Sequence, residues 1–218
     1  MIPRTIHYIW VGEKPLGKLQ MDCIASWKRY LPDYQIKLWN ETNVPEGVLN
    51  HPYVRAMYQK KKWAFVADYI RFWVLETEGG IYLDTDTEVL KSFDTLLSHA
   101  AFFGKTKDGV IAAGVIGTIP HHPVISKILE VYEKDIEYSI ERTSPITVTS
   151  VLANESYPDV QVYDYQYFNP CDDGESCTDE KLSVAYTKNH WAESWVPYAK
   201  LRKIARRLGV MELLKKFK

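Results

Sequence analysis

The stretch GGIYLDTDTEV, residues 79–89, sets Asp84 and Asp86 one residue apart directly after a hydrophobic run. In an extended segment side chains alternate, so both carboxylates project to the same side. Like charges held that close raise at least one pKa unless a cation intervenes. A hard divalent ion, Mn2+ or Mg2+, removes the conflict, because it takes carboxylate oxygens and bridges phosphate oxygens. The plainer alternative is a solvated acidic loop. A strand end after Gly-Gly in an α/β sheet is, however, where ligands usually sit.

The helix expected just upstream carries a second pair. WAFVADYIRFWVL, residues 63–75, has two charged residues in thirteen, Asp68 and Arg71. A helix this apolar is buried around most of its circumference, so its charges need partners or a ligand. Spaced three apart, they share a face and either pair with each other or point at the pocket of the acidic turn. In the second case Arg71 suits a phosphate or sugar and Asp68 suits sugar hydroxyls. A competing assignment exists for the aspartates. A strand followed by D-T-D-T resembles the first motif of haloacid-dehalogenase-type, Mg2+-dependent phosphatases, with Asp84 as nucleophile and Asp86 as general acid/base. That family needs a later acidic cluster, which DDGES (172–176) matches only loosely.

The elements that must position these groups read as α/β. RTIHYIWV (4–11) is a buried opening strand, 18–30 a helix and YQIKLW (34–39) a second strand, an order that suggests parallel pairing. Residues 40–50 read as loop, 52–60 as a short helix, and 61–80 as a long helix stopped by Gly79-Gly80. Strands follow at 81–89, 100–105 and 109–118, then a helix over 122–138 and short strands near 160–165 and within 181–195. The chain of 218 residues, 46% hydrophobic with seven Trp and fifteen Tyr, suffices for one domain with an aromatic-lined groove. Cys23, Cys171 and Cys177 are an odd, sparse set; Cys171 and Cys177 could pair or bind metal, but CDDGESC lacks zinc-site spacing, and ordinary reduced thiols are expected.

Four ordered stretches, IPRTIHYIWVG, SWKRYLPDYQIKLWN, AFVADYIRFWVLETEGGIYLDTDTEVLK and NHWAESW, together resemble the sugar-transfer Asp-x-Asp family. That family includes bacterial capsule and O-antigen glycosyltransferases and the yeast initiating outer-chain mannosyltransferase, and is distantly similar to clostridial glucosylating toxins. The resemblance implies a GT-A-type fold, a Rossmann-like mixed sheet flanked by helices, over residues 1–197. It implies a metal-dependent retaining transfer of a hexose from a nucleoside-diphosphate sugar, UDP favoured, to a saccharide acceptor in surface polysaccharide synthesis. By the same resemblance Trp10 stacks on the base, Asp68 and Arg71 contact sugar and phosphate, and Tyr82 lies near the nucleotide. Asp84 and Asp86 are the Asp-x-Asp, His190 a third metal ligand, and Ser194 and Trp195 close over the diphosphate. Asn189 and Glu193 stand where many relatives have His and Gly.

Charge is unevenly spread. Residues 198–218 hold eight Lys/Arg against one Glu, leaving nineteen basic against twenty-seven acidic residues in the rest. Leu201, Ile204, Leu208 and Met211 form one stripe there, the pattern of a basic amphipathic helix that is either attracted to anionic lipid or packs its stripe on the domain. No aromatic interleaving or basic fold motif points to nucleic acid. The opening residues are too polar for a signal peptide, and no stretch approaches the ~20 apolar residues of a membrane span. The expected location is cytoplasmic, peripheral on the inner face of the membrane, beside an undecaprenyl-diphosphate-linked acceptor.

Overall fold

The structure, a computed structural model, describes residues 1–134 and 143–192. β1 (Thr5–Ile9) and β2 (Gln35–Trp39) pair in parallel from Thr5↔Gln35 to Ile9↔Trp39, connected by α1 (Lys18–Tyr30). Parallel neighbours need such a crossover, and the helical spacing of residues 18–30 supplies it. α2 (Glu46–Leu49) and α3 (Pro52–Gln59) lead into α4 (Trp63–Glu78). β3 (Gly80–Leu83) returns along the other edge of β1, also in parallel.

Beyond β3 the sheet turns antiparallel. β5 (Ala101–Lys105) and β6 (Ile111–Thr118) form a pair whose second strand runs against β3. After α5 (Pro123–Lys134) and α6 (Ser144–Asn154), β7 (Val160–Tyr163) joins β5 in parallel. Among the described residues the order is β2-β1-β3-β6-β5-β7, the mixed sheet that was expected. α2 and α6 are additions to the sequence reading, as are the short helices over 165–168 and 179–184. α7 (Tyr165–Phe168) and α8 (Asp179–Val184) complete the described helices.

Strand alternation sorts the core onto the two sheet faces. Ile6, Ile81, Leu83 and Phe102 pack with Trp27 of α1 and with Leu31 just past its end, whereas Ile9, Tyr82 and Phe103 pack with α3, α4, α5 and α6. Each such side chain, fully buried, contributes about 1.5–3 kcal/mol. α4 is the central helix of the second layer, with Val66, Ile70, Phe72, Val74 and Leu75 out of contact with water. Its stop depends on the glycine pair. Gly79 has φ +64, and a Cβ there would lie 2.6 Å from Pro120 N; Gly80 has φ +91, and a Cβ would lie 2.8 Å from the Thr5 carbonyl oxygen. Only residues without side chains let α4 end and β3 begin against β1 in one step.

A second, two-stranded sheet pairs β4 (Thr87–Val89) with β8 (Thr187–Asn189) in antiparallel register. α1 holds β4: Trp27 Nε1 donates to the Thr87 carbonyl at 2.7 Å, and Val89 N donates to Ser26 Oγ at 2.9 Å. The acidic turn is therefore anchored at both ends, by β3 in the large sheet and by β4 on α1.

One expectation is overturned. Cys171 and Cys177 are joined by a disulfide, with their Cα atoms 5.8 Å apart, and only Cys23 is a free cysteine among the described residues, buried on α1. The turn made by Asp172–Glu175, with Gly174 at φ +81 and Glu175 N bonded to the Asp172 carbonyl at 3.0 Å, folds the segment back on itself. The spacing that argues against a zinc site suits a short bridged loop. The expected helix over 198–218 lies outside the described residues. Among those described, no helix is long and apolar enough to cross a membrane.

Candidate active site

A cleft of about 480 Å³ opens at the carboxyl ends of β1 and β3, walled by the first half of α4. This is the edge at which open α/β sheets bind ligands. Trp10, Asp68, Arg71, Tyr82, Asp84 and Asp86 all line it.

Arg71 organises the floor. Its Nη2 meets Asp68 Oδ1 at 2.8 Å and Asp84 Oδ1 at 3.4 Å, while Nη1 donates to the Ala113 carbonyl at 2.6 Å. The guanidinium also lies over the Tyr82 ring, 4.4 Å from its centroid. Both sequence readings of the Asp68–Arg71 pair therefore hold together: they are ion-paired, and they face the cleft. Ser144, at the start of α6, donates to Asp68 from its backbone N at 3.1 Å and its hydroxyl at 2.8 Å. Burial raises the Asp68 carboxyl pKa, against the opposing pull of Arg71 and Ser144. Burial, the largest single influence, pulls the Arg71 pKa down, but Tyr82, Asp84 and Asp68 together hold it above the ordinary value.

The two aspartates of the turn are held differently. Tyr82 donates its hydroxyl to Asp84 Oδ1 at 2.8 Å, and burial drives the Tyr82 pKa well up. The other oxygen, Oδ2, faces Gly114, where a Cβ would stand 2.9 Å away. Asp84 N donates to the Gly114 carbonyl at 2.8 Å, so the closeness is built into the backbone. Asp86 Oδ2 accepts from Ala192 N at 2.7 Å. Its pKa is raised, first by burial and then by the charge of Asp84. The segment between them is a turn, not a continuous strand, and the shared direction comes from that turn.

A divalent ion fits this donor set. Two carboxylates meet at a partly buried turn, and the cost of charging Asp86 beside Asp84 is what a cation offsets. Among the described residues no three His, Cys, Asp or Glu side chains form a complete cage. Mg2+-type sites commonly use one or two carboxylates and take their remaining ligands from phosphate and water.

His190 does not join them here. Its backbone N bonds to the Asp86 carbonyl at 3.0 Å, but its Nε2 contacts Glu88 Oε2 at 2.9 Å. Asn189, the last residue of β8, lines the cleft, whereas the His190 ring just beyond the strand lies on the Glu88 carboxylate. The metal role expected of His190 would need its ring to leave Glu88 for the Asp86 side. Trp191 and Ala192 follow Asn189 along the wall. Ser194 and Trp195 lie outside the described residues.

Trp10 is partly exposed just past β1, its Nε1 donating to the Lys14 carbonyl at 2.7 Å. Gly114, Ser144 and Asn189 were not assigned from the sequence. Ser144-Pro145 carries a helix-start signal, with Pro in the first turn, that would have located α6. The phosphatase alternative fails on placement. Asp84 follows the third strand rather than the first. Asp172 and Glu175 of the DDGES segment are taken up by Lys107, with Lys181 also on Glu175, and none of these lines the cleft.

Comparison with known proteins agrees with this geometry. Residues 17–103 match the family model described as a glycosyltransferase sugar-binding region containing a DXD motif. An uncharacterised glycosyltransferase of Acanthamoeba polyphaga mimivirus is 28% identical over 94% of this chain and 88% of its own length. Inositol phosphoceramide mannosyltransferase 3 of Schizosaccharomyces pombe is 30% identical over 59% of this chain, which spans 36% of that protein. Among solved structures, the PaToxG glycosyltransferase superposes with a TM-score of 0.53 at 20% identity, covering 69% of each chain. The fold is GT-A.

Proposed function

We propose, from the match of residues 17–103 to a glycosyltransferase sugar-binding region, that the cleft binds a nucleoside-diphosphate sugar with a divalent cation and transfers the hexose, with retention, to a saccharide acceptor. The observation that carries this reading is the convergence of Asp68, Arg71, Asp84 and Asp86 on one cleft at the carboxyl edge of the sheet. Asp84 and Asp86 are the residues that would hold Mn2+ or Mg2+, which when bound neutralises diphosphate charge.

The remaining work falls to the chain itself. Arg71, locked by Asp68, Asp84 and the Ala113 carbonyl, keeps a fixed positive charge where the leaving diphosphate gains negative charge. Such preorganised electrostatics is usually the largest catalytic contribution. Asp68 and Tyr82 border the space beside Arg71 and orient the donor sugar and ribose. No side chain is assigned as general base; the departing phosphate oxygen accepts the acceptor proton on the same face.

UDP is favoured as carrier by the resemblance of Trp10 to the base-stacking tryptophan of the clostridial toxins; in the cleft its indole offers a flat platform for a base. The proposed acceptor is a saccharide on a lipid diphosphate such as undecaprenyl diphosphate, in capsule or O-antigen synthesis, at the cytoplasmic membrane face. The basic stripe at 198–218 is the proposed contact with that surface. The test is incubation with a panel of nucleotide-sugars and Mn2+, scoring release of UDP or GDP. Activity that survives both EDTA and Asp86→Asn would refute the metal-assisted reading. Release of phosphate from simple phosphomonoesters would refute the transferase reading altogether.

A further inference from the structure

The β1 side of the cleft has its own scaffold, built by residues that the reading above leaves unused. The turn after β2 is fixed by side chains: Asn40 Oδ1 accepts from Thr42 N at 2.9 Å, and Asn43 Oδ1 accepts from Asn40 N at 2.9 Å. It projects Glu41 across to the exit of β1. One carboxylate oxygen, Oε1, accepts from Gly12 N at 2.6 Å and from the Tyr58 hydroxyl at 3.0 Å. Tyr58 in turn sits edge-on to Trp63, with ring centroids 5.0 Å apart at 76°. Gly12 closes the circuit. Its φ is +91, and a Cβ there would stand 3.0 Å from Cε2 of Trp63, so backbone and indole are in direct contact.

Gly12 and Trp63 line the cleft together with Trp10, whereas Glu41 and Tyr58 do not. Glu41 thus acts on the cleft wall through other groups. A charge-assisted bond to a backbone N–H is among the stronger single contacts available to a loop. It holds Gly12 in a left-handed conformation with its Cα against an indole. Trp63 opens α4, eight residues before Arg71, or about 12 Å along the helix axis. A nucleoside diphosphate has the length to bridge such a span, with its phosphates at the Arg71 end and its base at the indole end.

We propose that Glu41 is a positioning residue that assembles Gly12 and Trp63 into the nucleobase end of the cleft, Trp63 supplying a second aromatic surface beside Trp10. The inference rests on the donor reading given above, and deepens it by separating a base end from a diphosphate end.

The two ends are distinguished by calorimetric binding of UDP and of inorganic pyrophosphate, each with Mn2+, to the full chain. Thermal unfolding of every variant is recorded in parallel. Glu41→Ala is expected to weaken UDP about tenfold and leave pyrophosphate unchanged. Trp63→Ala is expected to weaken UDP about tenfold or more, and Trp63→Phe to recover most of it. Glu41→Gln keeps an acceptor oxygen and is expected to stay within about threefold of the parent. A purely structural Glu41 would lower the unfolding temperature while leaving both affinities of the folded protein intact, and that result overturns the proposal. So does an equal loss for both ligands. If the parent protein binds pyrophosphate but UDP no more tightly, the base end is refuted while the metal–diphosphate reading stands; binding of neither ligand refutes both.

Discussion

Ser144 donates twice to Asp68, through its backbone N at 3.1 Å and its hydroxyl at 2.8 Å, across 76 residues of chain. The contact ties the first turn of α6 to the middle of α4 and leaves Asp68 shared between a serine and Arg71. Ser144→Ala removes the hydroxyl bond from a buried charged partner, a change worth about 1.5–3 kcal/mol. Urea unfolding of the two proteins measures it, and a difference below about 0.5 kcal/mol would show that Asp68 does not depend on this bond.

Arg71→Lys tests the floor of the cleft. One ammonium cannot meet the Ala113 carbonyl, Asp68 and Asp84 in the directions that the guanidinium does. The expected outcome is a stability loss of about 2–4 kcal/mol together with a fall in transfer rate of about 100-fold. Retained activity at the parent's stability would mean that the forked geometry is dispensable.

Gly114→Ala separates site from scaffold. The added methyl would sit 2.9 Å from Asp84 Oδ2, and Gly114 is not among the positive-φ glycines. The substitution therefore acts on the carboxylate without straining the backbone. Turnover is expected to drop about 10- to 100-fold with the unfolding free energy changed by less than about 1 kcal/mol. A Mn2+ titration of donor hydrolysis should show weaker apparent metal binding in the variant.

His7 sets an acid limit on stability. It is fully buried, and Trp39 Nε1 donates to its Nδ1 at 3.0 Å, which requires that nitrogen unprotonated. Burial, the largest influence, lowers its pKa from 6.5 to about 4. Between those values the unfolded chain takes up a proton that the folded chain refuses. Stability therefore falls as pH drops from 6.5 towards 4 and levels off below, with His7 contributing about 3 kcal/mol to the decline. Unfolding curves at pH 7 and pH 4.5 should lie closer together for His7→Gln than for the parent protein. Equal spacing would remove His7 as the cause.

Much of the site was legible because its signals are local. The apolar run with only Asp68 and Arg71 interrupting it announces a buried helix with two committed charges, and Gly79-Gly80 announces its end. Asp84 and Asp86 follow from three residues of sequence. The partners were not legible. That the His190 ring meets Glu88 while Asn189 lines the cleft depends on β8 lying against β4, a contact between residues 102 apart in the chain. Cys171 and Cys177 looked like separate thiols because loop closure by a turn leaves little trace in spacing.

The order of hydrophobic and turn residues alone determined the strand–helix alternation, the α4 charge pair and the acidic turn, since each is decided by interactions within a few residues. Only the tertiary structure decided that Ser144 serves Asp68, that Gly114 makes room for Asp84, and that Glu41 reaches Gly12 and Tyr58. Those contacts join segments far apart in the chain. Their energies depend on distances and burial set by sheet packing, which no local pattern encodes.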